Sequence, residues 1–155
     1  MTPNPAYIEA MQQLVRDSKF PQILGMTLAV LDFDRAQVTV DLDARHTHGF
    51  GMVHGGVFAT LIDSATWWSA YMRIPETAGL VNVDLKLNYL KAMTGGSLRA
   101  EGRCLRAGRQ ISYAEATVLD ERGDLVAHGT STLMALPDKG LRVGVPKFLE
   151  EDRPA

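Results

Sequence analysis

From residue 47 to residue 72 the chain carries no Lys, Arg or Glu, and its one formal charge, Asp63, stands near the middle of a helical pattern. On a wheel of about 100° per residue, Val57, Phe58, Leu61, Ile62, Ala65, Trp68 and Met72 share one face. That face must pack on another layer. A surface helix would show Lys and Glu opposite. Here the opposite side holds Ala59, Thr60, Thr66, Trp67, Ala70 and Tyr71, and Asp63 lies almost directly across from the core face. A helix that is apolar or small nearly all round is covered on both sides, and the simplest cover is a second copy of the chain. A membrane span does not fit. The run contains His48, His54 and Asp63, with glycines at 49, 51, 55 and 56, and a central Asp is costly in lipid.

The flanking sequence alternates with period two. Residues 25–33 and 36–42 read as strands joined by the turn Asp34-Arg35. After a Gly- and His-rich loop at 43–51, the helix runs from about 54 to 73, and Pro75 breaks the chain. Four strands follow at 81–90, 97–106, 110–119 and 125–136. In the first, Val81, Val83, Leu85, Leu87 and Tyr89 alternate with Asn82, Asp84, Lys86 and Asn88. Short turns between neighbours predict antiparallel pairing. A short helix at 5–18 precedes the strands, with Ile8, Met11, Leu14 and Val15 on one face and Pro21 at or beyond its end. Residues 137–155, with three prolines and many charges, read as a surface tail. The expected architecture is α+β, one long helix against a sheet of about six antiparallel strands. The 155 residues amount to one domain, with its core at about 25–136. A net charge of −2 gives no general pull toward nucleic acid or an anionic membrane. With a single cysteine and no basic, apolar leader, a cytoplasmic protein is expected.

Asp63 is the first candidate for chemistry. Beneath a covering layer it becomes a partly desolvated carboxylate with a raised pKa, as a general base at neutral pH requires. The bland alternative is a solvated helix aspartate. The second candidate is the helix start, where Gly55 and Gly56 leave backbone N–H groups open to a ligand at the positive end of the dipole. Such groups can serve as an oxyanion hole. The alternative is a loop that needs glycine for its conformation alone. Eight residues separate Gly55 from Asp63, which is about 12 Å along a helix. One helix cannot bring both to one carbonyl, so if both act, the Asp of one copy meets the helix start of another.

The segment His54-Gly55-Gly56-Val57-Phe58-Ala59-Thr60-Leu61-Ile62-Asp63-Ser64-Ala65, followed by Val81-Asn82-Val83-Asp84-Leu85-Lys86-Leu87-Asn88-Tyr89-Leu90, resembles the hotdog-fold acyl-CoA thioesterases of the phenylacetate-pathway type. The resemblance implies a curled antiparallel sheet wrapped around one long helix. It implies dimers that share a continuous sheet and often pair into tetramers, with active sites at the dimer interface. The Gly55 N–H would polarise the thioester carbonyl, and Asp63 would activate water or attack directly. No metal or redox cofactor is implied, since CoA is part of the substrate. Where the family often has Asn six residues before His54, this chain has His48, which can still hold water or the carbonyl by hydrogen bonding. Asn82, from the neighbouring strand, is a second candidate for orienting the water. His54 is expected to hold the loop.

Other residues invite competing readings. His46, His48 and His54 have zinc-like spacing, but no carboxylate or Cys nearby completes a set, and no metal is expected. Ser64 lacks the G-x-S-x-G context of a nucleophile. Arg103, Arg106 and Arg109, with Lys91, read either as a solvated hairpin tip or as a grip on CoA phosphates. Trp67 is a candidate lining residue of an acyl pocket together with Gly56 at the helix start, while Trp68 reads as core. Two alternatives to hydrolysis remain open on this fold: a non-catalytic acyl-CoA-binding protein, and a hydratase or dehydratase of acyl thioesters.

Overall fold

The computed structural model describes residues 2–149. Helix α1 (Pro5–Asp17) and the short helix α2 (Lys19–Leu24) precede a hairpin of β1 (Met26–Asp32) and β2 (Arg35–Asp41). A single 3-10 turn (Ala44–His46) leads to the central helix α3 (Gly55–Tyr71), and β3 (Gly79–Tyr89), β4 (Ser97–Ala107), β5 (Ile111–Asp120) and β6 (Leu125–Leu136) follow. The six strands form one sheet in the order β1-β2-β4-β5-β6-β3, with every neighbour antiparallel. The chain therefore leaves the hairpin, lays α3 across the sheet, and starts again at the far edge. This is the hotdog arrangement expected from the sequence.

Val57, Phe58, Leu61, Ile62, Ala65, Trp68 and Met72 are all buried, as the wheel predicts. Against them stand the inward positions of the sheet, among them Leu98, Ala100, Ala114, Ala116, Val118 and Leu133. Gly102 sits where α3 meets β4 most closely; a Cβ there would fall 2.0 Å from the carbonyl oxygen of Ala65. A side chain at this position would lift the helix off the sheet.

Four expectations need correction. First, a second short helix, α2, follows the expected one; Pro21 lies beyond α1, as read from the sequence. It lies in the first turn of α2, where a missing N–H costs nothing. Second, the hairpin turn is Phe33-Asp34, one residue earlier than read, because Asp34 adopts a left-handed conformation (φ 57°) that Asp tolerates.

Third, the cover over α3 is partly supplied by the chain itself. Thr66, Ala70 and Tyr71 are buried within one chain. Tyr71 bonds to Tyr7 of α1 through their hydroxyls, 2.7 Å apart. Fourth, residues 137–149 do not all lie on the surface. Lys147 is fully buried and donates to the carbonyls of Tyr71 and Ile74 at the C-terminal end of α3, with its amine 4.1 Å from the centre of the Tyr71 ring. Those carbonyls carry the negative end of the helix dipole, which gives the ammonium a partner. The rest of the expected tail, 150–155, lies outside the described residues.

The strand β3 departs from the alternation in its sequence. Its register with β6 slips between Asn82 and Asp84, leaving Val83 as a bulge. Beyond it, Asp84, Lys86 and Asn88 are exposed while Leu85 and Leu87 pack inward. Before it the parity is inverted: Leu80 is buried, Val81 is 39% exposed, and Asn82 turns to the helix side. A bulge re-aims side chains in this way.

Candidate active site

Asp63 projects from the middle of α3 and is half-buried. Asn82 reaches across from β3 and donates its Nδ2 to Asp63 Oδ1 at 2.5 Å. Burial pushes the Asp63 carboxyl above its ordinary range, and the Asn82 hydrogen bond pulls part of the way back. The other end of that amide, Asn82 Oδ1, is buried and finds no donor among the described residues. A buried acceptor without a donor costs free energy, so it marks a place where a hydrogen-bearing ligand gains one.

Beside Asp63 opens a cavity of about 560 Å³. Thr60, Ser64, Trp67 and Trp68 of α3 form one wall; Leu14, Val15 and Phe20 from α1 and α2 form another. Trp67 is fixed by its Nε1 donating to the Leu80 carbonyl (2.8 Å) and by stacking on Tyr71 with ring centres 4.8 Å apart. Both Trp67 and Trp68 line the cavity, although the sequence put Trp68 in the core alone.

The helix start forms a separate recess of about 390 Å³, lined by His48, Gly55, Phe58, Tyr89 and Lys91 among others. Neither Asp63 nor any other lining residue of the larger cavity belongs to it. One chain thus keeps the carboxylate and the glycine amides apart, as helical spacing requires. His54 is the N-cap of α3: its Nδ1 accepts from the Gly56 N–H at 2.8 Å. That engages the Gly56 amide internally, whereas the Gly55 N–H donates to no group among the described residues. His48 Nδ1 accepts from the Phe50 N–H, 3.1 Å away. The buried His46 uses both ring nitrogens locally, on the Asp43 N–H and the Leu24 carbonyl.

Sequence reasoning missed Tyr89, whose phenol lies 3.0 Å from where a Gly55 Cβ would stand. Its alternation with Asn88 marked it as inward-facing, but nothing local linked it to the helix start. The arginines are not gathered at either recess. Arg103 lies on the sheet face away from α3, paired with Glu115 at 2.7 Å. Arg106 and Arg109 are exposed near the β4–β5 turn, where Arg109 borders a different cavity with Ile111 and Met134.

A sequence profile described as thioesterase superfamily matches residues 50–127, which hold α3, the Asp63–Asn82 pair and the helix start. The chain belongs to the thioesterase superfamily. It is 29% identical over 100 residues to the proofreading thioesterase EntH of Klebsiella pneumoniae, covering 64% of this chain and 73% of that one. It is 26% identical to a putative esterase of Saccharolobus solfataricus, covering 85% and 94%. Among solved structures, a thioesterase family protein from Silicibacter pomeroyi superposes with a TM-score of 0.77 at 26% identity, over 83% of this chain and 97% of the other. A thioesterase from Haemophilus influenzae gives 0.78 at 23% identity, over 88% and 94%, a likeness of fold. Membership makes thioester hydrolysis the activity at the coarse level. No described helix of this thioesterase is long and apolar enough to cross a membrane.

Proposed function

We propose that this thioesterase hydrolyses acyl-CoA thioesters to a carboxylic acid and free CoA, with Asp63 as general base. The observation that carries the reading is the Asp63–Asn82 pair: a half-buried carboxylate, raised by burial, beside an amide whose Oδ1 still wants a donor. A water between them donates one hydrogen to Asp63 and the other to Asn82 Oδ1. Asp63 takes the proton as the oxygen attacks the thioester carbonyl. The oxyanion that forms is met by the Gly55 N–H of a neighbouring copy, with His48 beside it. The C–S bond then breaks, and the proton held by Asp63 goes to the departing thiolate. Atoms balance without a metal or a redox step.

The neighbouring copy is part of the proposal. Among the described residues the outer edge of β3 is unpaired, and Val83 on that strand is 59% exposed. An eleven-residue edge with open backbone N–H and C=O groups is a template for another strand. Two copies joined there form a continuous sheet, and such dimers can pair again. The test is thiol release from short, medium, long and aryl acyl-CoAs by the native chain, Asp63→Ala and Asp63→Asn. The expected result is a loss of at least about 10²-fold in kcat with folding preserved. A variant with near-native turnover removes Asp63 from the chemistry.

A further inference from the structure

Asp63, Trp67 and Tyr71 follow one another along α3 at intervals of four residues, so they stand on one side of the helix, a turn apart. Two hydrogen bonds tie this side to β3. Asn82 donates to Asp63 Oδ1, and Trp67 Nε1 donates to the Leu80 carbonyl. These are two rungs of one ladder. Four residues of helix advance about 6 Å and two residues of strand about 6.6 Å, so the pairs Asp63–Asn82 and Trp67–Leu80 keep step with the chain directions opposed. The Trp67 rung therefore sets the register of the catalytic one.

Trp67 is itself held by a row of contacts that ends on a charge. Its ring stacks on Tyr71 with the planes 13° apart. The Lys147 ammonium lies 4.1 Å from the centre of the Tyr71 ring and also donates to the carbonyls of Tyr71 and Ile74. One side chain thus fixes both the ring and the helix turn that carries it. Tyr7, Tyr71 and Lys147 are fully buried within one chain, so the row does not depend on what covers the groove beside Asp63. Burial lowers the Lys147 pKa to about 8, against an upward pull from Glu76, so the charge costs stability in this place. A methionine fills similar space without that cost.

We propose that Lys147 is a positioning residue for the reaction: through the Tyr71 and Trp67 rings it holds β3 in step with α3, and so sets how Asn82 meets Asp63. The proposal rests on the hydrolase reading of the Asp63–Asn82 pair and adds a residue that acts on it from outside the site. The charged form is the one that works, because an ammonium is drawn to the ring face and a neutral amine is not. The titratable groups facing Lys147 are Tyr71 on α3, Tyr7 of α1 bonded to the Tyr71 hydroxyl, and Glu76, whose Oε2 accepts from the Lys147 backbone N–H at 3.3 Å. Burial pushes both phenols up, which leaves Lys147 as the member that loses its charge near pH 8.

The test measures kcat and KM against pH for an acyl-CoA that the native chain hydrolyses, with Lys147→Met and Tyr71→Leu beside it. Native kcat should fall above about pH 8. Lys147→Met should lower kcat at neutral pH by about tenfold with KM within about twofold. Its acid limb should move to higher pH, because the Asn82 bond that lowers the Asp63 pKa is loosened, and its fall near pH 8 should be gone. Tyr71→Leu keeps the lysine and its carbonyl partners but cuts the ring contact. It should reproduce these changes, and adding Lys147→Met to it should change little more. A second reading needs no variant and no substrate. The two tryptophans of the chain, Trp67 and Trp68, both touch the Tyr71 ring, so native emission should titrate with a midpoint of about 8. An acid limb that stays in place in a folded Lys147→Met, or full additivity of the two substitutions, makes the lysine a structural plug and overturns the proposal. Native emission that stays flat from about pH 7 to about pH 9 does the same. If Lys147→Met does not fold, the native emission and the Tyr71→Leu limb decide. Emission that titrates as expected, with no thiol released from any thioester, sinks the hydrolase reading and leaves the row of contacts standing.

Discussion

Asp63 and Asn82 hold each other in a state that costs stability and suits catalysis. Folding raises the Asp63 pKa, so the folded chain favours the protonated carboxyl. Stability tied to that proton is present at low pH and is lost as pH rises through the folded pKa. At neutral pH Asp63→Asn should therefore raise the thermal midpoint while it abolishes turnover, a comparison that calorimetry and the thiol assay make together. Asn82→Ala acts in the other direction on the proton. Its hydrogen bond lowers the Asp63 pKa, so removal leaves burial unopposed. The acid limb of kcat/KM, already above the ordinary 3.8, should move to higher pH in Asn82→Ala. An unmoved limb would mean that another group titrates. At this scale much was readable from the sequence. Asp63 stood out as the one charge on an uncharged helix, and His54 as the residue that secures the loop. The Arg103 pairing was not readable, because Glu115 comes from the next strand and only the register between them brings the two together.

The elements were legible wherever one period ran undisturbed. Five of the six strands and α3 follow their apolar patterns to within one or two residues. The sixth, β3, reads as an unbroken alternation from Val81 to Tyr89, yet contains a bulge. The pattern conceals it because Val83 is apolar where a regular strand would also have an apolar residue. The bulge lets Asn82 and Leu85 both face α3, so one strand serves the site and the core. Exchanging the two residues, Asn82→Val with Val83→Asn, keeps composition constant and moves the amide toward solvent. Turnover should fall at least as far as in Asn82→Ala, while circular dichroism stays native. The helix α2 escaped notice for a different reason: six residues are too few for a periodic signal, and none of them is buried.

Across the whole molecule, the first and last described segments come together near the C-terminal end of the central helix. Pro3 pairs with Phe148, Asn4 donates to the carbonyl of Pro146, and Lys147 plugs the end of α3. Burial lowers the Lys147 pKa from 10.5 to about 8. Below that pH both folded and unfolded chains hold the proton. Between about 8 and 10.5 the unfolded chain holds more, so this group makes stability rise with pH. Tyr7 and Tyr71, raised in the folded chain, oppose that trend above their ordinary 10.0. Urea midpoints of the native chain relative to Lys147→Met should therefore climb from about pH 8 to about pH 10. None of this was visible beforehand, since a lysine in a charged, proline-rich stretch looks solvated until its neighbours are known. The proposed sharing of sites between copies has its own test. Asp63→Ala and Gly55→Val should each be inactive alone. Co-refolded in equal amounts, random pairing leaves one intact site in each mixed dimer, and about a quarter of native turnover should return. Continued silence of the mixture would place both groups of a site in one chain.

The shallow seating of α2 has a practical side. Because residues 19–23 contribute little to the interior, their side chains can be randomised with small risk to folding. The carboxylate and its amide partner sit on other elements and would ride through such a library unchanged. Selection on alternative thioesters would then sample many substrate appetites on one fixed reaction chemistry.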